Sequence, residues 1–540
     1  MHSDFAIVDL FAGPGGLAEG FSSFETGMGH RPFSVELSVE KEKSAHQTLR
    51  FRSFLRQFGQ SFPQEYYDWL NEGGSEPDWQ ALYRPQWRAA ENEALCLTLG
   101  DERAGRIITK RIKQIRKMHG KNTVLIGGPP CQAYSLVGRA RNRGIAGYDA
   151  AQDHRHFLYR EYIGIISQLE PAAFVMENVK GMLSSTVDGV RMFDLITADL
   201  RTPPDTVGYE LYAFAPKGSS AAAKGNSPSD FVVRAEELGV PQARHRVIIL
   251  GLRKDIAEAI ENPDQGLGAT IAGLLARSAF PRARVADVLD GMPRLRSGLS
   301  RQKDDCQSWA SVLADACIDT LAQASGLPGN LELKFRKIVE SVRREAKLGS
   351  TLPRQAGSPN GMGPACPAAL ADWLRDDKLA HLPNNETRGH MPGDLSRYLF
   401  ASAYAAISGQ SPKASSFPAA LAPDHRNWET GKFSDRFRVQ LRGQPSTTVT
   451  SHISKDGHYF IHPDPAQCRS LTVREAARLQ TFPDNYLFRG NRTEQFVQVG
   501  NAVPPFLARQ IASVLWNILS VSRARVTEAA PEADMVERAA

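Results

Sequence analysis

Short apolar runs alternate with helix-like segments along the first half of the chain. Residues 5–11, 32–37, 122–128, 172–178 and 246–252 are apolar runs of strand length, each bounded by polar residues, Gly or Pro. An alternation of strands and helices is typical of a mostly parallel sheet covered by helices. The pattern therefore predicts an α/β fold for this part of the chain.

Two long regions interrupt this pattern. Residues 51–121 are rich in Trp, Tyr, Arg and Glu, which predicts a mostly helical insertion. From about 285 to 465 the alternation fades and Gly, Pro, Arg and Ser become frequent, so we expect a separate, irregular module. Within that module, residues 384–405 predict a packed helix.

Order returns near residue 470. Thr472 can cap a helix whose third residue, Glu475, completes a capping box. The helical pattern continues through residues 498–520. The resulting organisation is a first domain at 1–285, a second at 286–470, a C-terminal segment at 471–520 that returns to the first domain, and a disordered tail at 521–540.

Composition narrows the class of protein. Hydrophobic residues make up 42% of the chain, and no apolar run approaches the roughly 20 residues that a membrane helix needs. The six cysteines are scattered without a C-x-x-C pair, which favours a reduced, cytoplasmic protein without structural metal. The net charge of +6 permits a polyanionic partner but does not identify one.

Several chemically useful residues follow predicted strands. Gly13, Gly15 and Gly16 form a turn that lets a ligand approach the backbone, although a tight connector explains them equally well. An acid near the end of the next strand, Glu36 or Glu40, would suit ribose hydroxyls. Ligands of open parallel sheets gather at the carboxyl ends of the strands, where these residues are predicted to lie.

A thiol, a carboxylate and two cations are predicted at the same edge. Cys131 stands in the rigid stretch "IGGPPCQAYS" after the strand at 122–128, and Glu177 ends the strand at 172–178. Arg244 and Arg246 occupy alternate positions as the chain enters the strand at 246–252, so their side chains are predicted to point the same way. A nucleophile with a nearby carboxylate makes a catalytic pair plausible.

Six sequence blocks together resemble one known family. They are "DLFAGPGG", "GGPPCQAYS", "MENVKG", "GVPQARHRV", "LTVREAARLQTFPD" and "QVGNAVPP", and they occur in the family's order. The chain is thus similar to the DNA cytosine-5 methyltransferases that use S-adenosyl-L-methionine. The resemblance implies a Rossmann-like methyltransferase fold, a target-recognition domain in the irregular module, and duplex DNA whose target base is flipped out. Within that domain, residues 451–464 fit a DNA-facing hairpin or a structural turn equally well.

The resemblance also implies residue roles. Cys131 would be the nucleophile, Glu177 would contact N3 and the amino group of cytosine, and Arg246 its O2. Arg244 would support the loop or a nearby phosphate. Gln132, Ser135 and Asn178 would contact the substrate, and no metal is required. The cofactor contacts would be Phe11, Gly13, Gly15, Gly16, Glu40, Asp101, Pro130, Leu158, Asn501 and Val503.

Two of these residue assignments stay open, and so does the choice among alternative functions and partners. The "E-x-x-x-x-A" spacing favours Glu40 over Glu36 for the ribose, and Asp101 is assigned beside the adenine although the insertion obscures its block. An RNA cytosine-5 methyltransferase and a catalytically silent DNA-binding subunit are the alternative functions. A cognate restriction endonuclease or another defence-system protein is a further expected partner, and the recognised DNA site is not predicted.

Overall fold

The computed structural model describes residues 3–59, 61–130, 158–187, 189–214, 227–260, 267–278, 280–347, 352–355, 361–423 and 436–528. Cys131, Gln132 and Ser135 lie outside these described residues.

Strands occur mainly in the first half of the described chain. They are β1 (Phe5–Leu10), β2 (Phe33–Glu40), β3 (Ala94–Cys96), β4 (Thr123–Gly127), β5 (Ala173–Val179), β6 (Thr186–Val187), β7 (Val190–Arg191), β8 (Tyr209–Ala213), β9 (Val232–Arg234), β10 (Gln242–Ala243), β11 (His245–Arg253), β12 (Gly298–Leu299), β13 (Gly389–His390) and β14 (Ser446–Thr447).

Helices occur along the whole described chain. They are α1 (Gly16–Ser22), α2 (Lys43–Arg56), α3 (Gln64–Glu72), α4 (Trp79–Leu82), α5 (Arg84–Glu93), α6 (Glu102–His119), α7 (Leu158–Leu169), α8 (Met192–Arg201), α9 (Lys254–Ile260), α10 (Leu267–Ser278), α11 (Val285–Leu289), α12 (Cys306–Ala322), α13 (Gly329–Lys347), α14 (Ala368–Leu374), α15 (Pro392–Ser408), α16 (Val473–Leu479), α17 (Arg492–Asn501) and α18 (Pro505–Glu528).

A mixed sheet forms the centre of the first domain. Among the described residues its strand order is β3-β2-β1-β4-β5-β11-β8, and β9 also pairs with β11. Strands β3, β2, β1, β4 and β5 run parallel to one another, whereas β11 is antiparallel to both of its neighbours in this order, β5 and β8. The α/β architecture predicted from the alternation is confirmed.

Helices cover both faces of this sheet. Strand residues alternate between faces, so Ile7 joins the core under α1 and α18 while Val8 joins the core under α6, α7 and α8. On α6, Ile108, Ile112 and Ile115 recur at helical spacing and are buried against the sheet. Helix α18, the last helix among the described residues, thus completes the face of the sheet to which Ile7 of the first strand belongs.

The second half is more helical than its composition indicates. Helices α12, α13 and α15 contain 17, 19 and 17 residues and pack into one apolar core. Helix α15 confirms the packed helix predicted within residues 384–405. Frequent Gly and Pro residues obscured these amphipathic helices, because the helices are separated by loops rich in both. The 451–464 region contains a short 3₁₀ turn, Ser451–Ser454, that packs against α17.

The insertion and the tail also differ from expectation. Most of 51–121 is helical, but β3 adds to the central sheet and α6 covers it, so the end of this region belongs to the sheet itself. The aromatic residues before β3 pack into a separate cluster around Phe54, Tyr66 and Trp79. Helix α18 continues to Glu528, past residue 520, where the C-terminal segment was predicted to end.

No helix in the described part of the chain is long and apolar enough to cross a membrane. Among the described residues there is also no cluster of three or more His, Cys, Asp or Glu side chains arranged to hold a metal ion.

Candidate active site

The glycine turn lies at the carboxyl end of β1. Gly15 adopts a φ of 102° and forms the N-cap of α1, a conformation that glycine accepts without strain. Gly13 has a φ of 58°, and a Cβ added there would meet no atom within 4 Å. A Cβ at Gly16 would instead lie 2.2 Å from the carbonyl oxygen of Val503. The turn is therefore open beside Gly13 and closed by the C-terminal segment beside Gly16.

Glu40 ends β2, next to the glycine turn. One carboxylate oxygen accepts a hydrogen bond from the backbone N–H of Gly13, and the other accepts one from Glu42, both at 2.8 Å. Burial raises the pKa of Glu40, and these N–H groups partly oppose that rise. Glu36 lies earlier on β2 and is 3.7 Å from the His119 ring. Of the two candidate acids, Glu40 is therefore the one at the turn.

Glu177 and Arg246 form an ion pair across β5 and β11. Their strands are antiparallel neighbours, and the guanidinium Nε of Arg246 lies 2.9 Å from a carboxylate oxygen of Glu177. Both side chains are largely buried. Burial lowers the pKa of Arg246, and the Glu177 carboxylate opposes that shift. The pair therefore places a carboxylate and a guanidinium side by side.

The loop after β4 contacts this pair through its backbone. A Cβ at Gly128 would lie 2.9 Å from a Glu177 carboxylate oxygen, so only glycine lets the loop come this close. The side-chain amide of Asn178 donates to the carbonyl oxygen of Pro129 at 3.3 Å. Asn178 is also buried, so within the described residues it positions the loop. The loop leads through Pro130 directly to Cys131.

Arg244 does not share the surroundings of Arg246. It is only 2% exposed, and its guanidinium donates to the carbonyl oxygens of Val449, at 2.9 Å, and Gly500. Burial lowers the pKa of Arg244 well below its ordinary value. Because these donors are bound to protein carbonyls, the geometry fits the first of the two roles expected of Arg244, support of the loop, and the contact with a nearby phosphate stays a prediction. Arg244 thereby joins β11 to two distant parts of the chain.

The remaining residues that were predicted to contact the cofactor differ in their exposure. Phe11 follows β1 with a φ of 56°, and Leu158 is a buried residue at the start of α7. Asp101 is exposed and caps α6 by accepting from the N–H of Ala104 at 3.1 Å. Asn501 is exposed at the end of α17, whereas Val503 is buried against the glycine turn.

Two buried residues at this site were not predicted. Asp9 is fully buried on β1, and neither of its carboxylate oxygens has a hydrogen-bond partner among the described residues. Burial raises its pKa well above the ordinary value. A lone carboxylate in the apolar run "FAIVDLF" was the available signal. Tyr486 contacts the glycine turn from the C-terminal segment, and no local pattern indicated it.

Comparison with known proteins identifies the family. A family model described as C-5 cytosine-specific DNA methylase matches residues 90–273 and 383–517. The type II methyltransferase M.Bpa9945I of Bacillus paralicheniformis is 30% identical over 530 residues, which cover 95% of this chain and 99% of that protein. The DNA (cytosine-5-)-methyltransferase M.ApeKI of Aeropyrum pernix is 28% identical over 427 residues, covering 73% and 81%. With its α/β methyltransferase fold, the chain belongs to the family of C-5 cytosine-specific DNA methylases and is a DNA cytosine-5 methyltransferase.

Proposed function

We propose that this enzyme methylates C5 of cytosine in a specific duplex DNA sequence, with Cys131 as a transient covalent nucleophile. The observation that carries the proposal is the Glu177–Arg246 ion pair, which lies against the loop that leads to Cys131. The glycine turn and Glu40 stand on neighbouring strands at the same edge of the sheet.

The reaction requires a nucleophile from the protein because C5 of cytosine, as part of an aromatic ring, is by itself too weakly nucleophilic to take up the methyl group. The Cys131 thiolate adds to C6, and the electron pair of the C5–C6 double bond becomes available at C5. C5 would then form a bond to the methyl carbon that S-adenosyl-L-methionine supplies, and that carbon would lose its bond to the cofactor's sulfonium sulfur. A base removes the C5 proton, the double bond forms again, and Cys131 leaves as a thiolate. The net change replaces one hydrogen by one methyl group.

Glu177 and Arg246 are proposed to stabilise this reaction by binding the edge of the ring opposite the C5–C6 bond. In the proposed roles Glu177 accepts a hydrogen bond from the exocyclic amino group and shares a proton with N3, and Arg246 donates to O2. Their ion pair, with its 2.9 Å contact, fixes both side chains before the base arrives. Such preorganisation is effective because charge that builds up on the ring meets groups that need not reorient.

S-adenosyl-L-methionine supplies the methyl group from its sulfonium when it is bound. The residues present fit this cofactor: the turn is open beside Gly13, and the buried Glu40 carboxylate lies at the end of the adjacent strand. Phe11 and Leu158 would supply apolar contacts, and Val503 closes the turn from the C-terminal side. Asp101 and Asn501 remain proposed contacts at exposed positions.

The second half of the chain is proposed to bind the duplex across from this site. A base in a duplex does not present C6 to a thiol, so the target cytosine has to be flipped out. The relative from Bacillus paralicheniformis is named a type II methyltransferase. We accordingly extend the proposal to a restriction-modification role with a cognate endonuclease as partner.

Duplex DNA containing 5-fluorocytosine tests the covalent step. Fluorine at C5 is not lost as a proton is, so incubation with S-adenosylmethionine should leave the protein covalently joined to the DNA. Denaturing gel electrophoresis and mass spectrometry of the linked peptide measure this, and a tRNA pool carrying the same analogue tests the RNA alternative. Recovery of only unmodified protein from active enzyme would refute the assignment of Cys131.

Replacing Glu177 with glutamine should lower kcat by about 10²- to 10⁴-fold, the usual contribution of an acid or base that interacts with the reacting group. The amide keeps the shape but removes the charge that pairs with Arg246. Single-turnover methylation with saturating DNA measures the effect. The control is Glu236→Gln, which changes a carboxylate in the 3₁₀ segment Ala235–Leu238 that is paired with the His245 ring. Equal rates in the two variants would place Glu177 outside the chemistry.

A further inference from the structure

The C-terminal segment holds the glycine turn from behind. The hydroxyl of Tyr486 donates a hydrogen bond of 2.5 Å to the carbonyl oxygen of Pro14, in the middle of the turn. Tyr486 is fully buried, and its ring packs against Phe482 and Phe488. Burial raises the pKa of this phenol, so the hydroxyl keeps its proton and acts as a donor. A residue far along the chain therefore fixes the orientation of this turn.

A buried ion pair between Arg52 and Glu19 holds Tyr486 in place. The guanidinium of Arg52 on α2 stacks over the Tyr486 ring at 4.7 Å and donates to the backbone and side-chain oxygens of Asn485. The same guanidinium binds both carboxylate oxygens of Glu19 on α1, at 2.9 and 2.6 Å. Both charged side chains are almost fully buried. Helix α1, helix α2 and the segment at 485–486 are thus joined around one cation.

The turn has no room to shift toward this cluster. A Cβ added at Gly15 would lie 3.0 Å from the Tyr486 hydroxyl and 2.9 Å from the Leu49 side chain. On its other side, the N–H of Gly13 donates to Glu40. Pro14 is therefore held by a donor from the C-terminal segment, while Gly13 is held by an acceptor from β2.

We infer that Tyr486 is a positioning residue for the cofactor, acting through the carbonyl of Pro14 on the glycine turn. The inference rests on the proposed binding of S-adenosylmethionine at this turn. Without the hydroxyl, the Pro14 carbonyl loses its donor and the turn samples orientations that bind less well. Binding then has to select the competent orientation, so affinity falls in proportion to its population.

A pair of tyrosine-to-phenylalanine variants tests this inference. Tyr486→Phe removes only the hydroxyl. The control variant, Tyr209→Phe on β8, also removes a buried hydroxyl that donates to a proline carbonyl, in this case that of Pro171 at 3.0 Å. Loss of one neutral hydrogen bond corresponds to about a two- to tenfold change in an equilibrium constant. Tyr486→Phe should therefore raise the Kd and KM for S-adenosylmethionine by that factor.

The readouts separate positioning from general stability. We expect kcat and the KM for DNA to stay within about twofold in Tyr486→Phe, because a single hydrogen bond to the turn does not contact DNA. Both variants should lose thermal stability to a similar degree, but only Tyr486→Phe should bind the cofactor more weakly. Isothermal titration with S-adenosylmethionine alone, without DNA, measures this directly.

The outcomes distinguish the two proposals. If the wild type binds no S-adenosylmethionine, the proposed function is wrong at its cofactor. If the wild type binds it and Tyr486→Phe matches Tyr209→Phe, the inference about Tyr486 is wrong. Should Tyr486→Phe fail to fold, Tyr486→4-fluorophenylalanine replaces it, because the fluorine fills the space of the hydroxyl without donating a hydrogen bond to the Pro14 carbonyl. That variant should weaken binding in the same direction, and unchanged affinity would overturn the inference.

Discussion

Replacing Cys131 with serine is expected to reduce methyl transfer by at least about 10³-fold, equivalent to a barrier higher by about 4 kcal/mol. A thiol near neutral pH supplies a usable fraction of thiolate, whereas a serine hydroxyl does not ionise in this range. Serine is nearly the same size, so binding of S-adenosylmethionine should be unchanged. Transfer of a labelled methyl group to duplex DNA measures the loss, and calorimetric titration measures cofactor binding.

Cys306→Ser is the matched control for this experiment. Cys306 is exposed at the start of α12, and Asp305, not the thiol, caps that helix. The control should retain full activity and full cofactor affinity. A Cys131→Ser rate within tenfold of the wild type, measured beside an intact control, would contradict covalent catalysis by Cys131.

Replacing Glu475 with glutamine is expected to destabilise the fold by about 3–5 kcal/mol, the usual cost of leaving one partner of a buried ion pair uncompensated. Both oxygens of Glu475 accept hydrogen bonds from the guanidinium of Arg469, at 2.6 and 2.7 Å, and each side chain is about 1% exposed. Glutamine still supports a capping box, so the loss reports mainly the missing charge. Urea unfolding followed by circular dichroism measures it.

The pH dependence of this difference has a definite sign. Burial raises the pKa of Glu475, but the Arg469 guanidinium outweighs burial and lowers it to about 2. A lowered folded-state pKa stabilises the protein above the unfolded value, near 4.5, and this stabilisation is lost as pH falls toward 2. The gap in stability between wild type and Glu475→Gln should therefore be full at neutral pH and should narrow below about pH 4.5.

Thr472→Ala separates the cap from the ion pair. The Thr472 hydroxyl accepts from the N–H of Glu475 at 3.1 Å, as the predicted capping box requires, and also donates to Asn385. Loss of an N-cap costs about 1 kcal/mol, so this variant should be clearly more stable than Glu475→Gln. Equal destabilisation by the two substitutions would show that the charge contributes nothing beyond the cap.

Local sequence patterns were sufficient for the strands that carry the site. Strands β1, β4, β5 and β11 were predicted because each is a compact apolar run, and the residues that follow them meet at one edge of the sheet. Strand β3 was missed because it has only three residues and pairs with β2 alone. Strand β8 was missed because its mixed sequence "YELYA" becomes a strand by pairing with β11.

Contacts between distant segments were beyond these patterns. Arg244 and Arg246 alternate on an extended segment, which predicted similar surroundings for both. Their roles differ because the carbonyls of Val449 and Gly500, over 200 residues away, bind Arg244, whereas Glu177 binds Arg246. The contact from Tyr486 to Pro14 spans 472 positions in the chain. Such pairings depend on how distant segments pack, and no local periodicity in a single sequence indicates them.

The packing of α18 on the sheet has a consequence for synthesis of the protein. Leu507, Ile511, Leu515 and Leu519 of this helix bury against residues from the first strand onward. Ribosomes extend chains at about 5–20 residues per second, so tens of seconds pass between the emergence of β1 and that of α18. Throughout that interval the apolar residues of the nascent sheet that pack against α18 lack this cover, which favours aggregation of the incomplete chain.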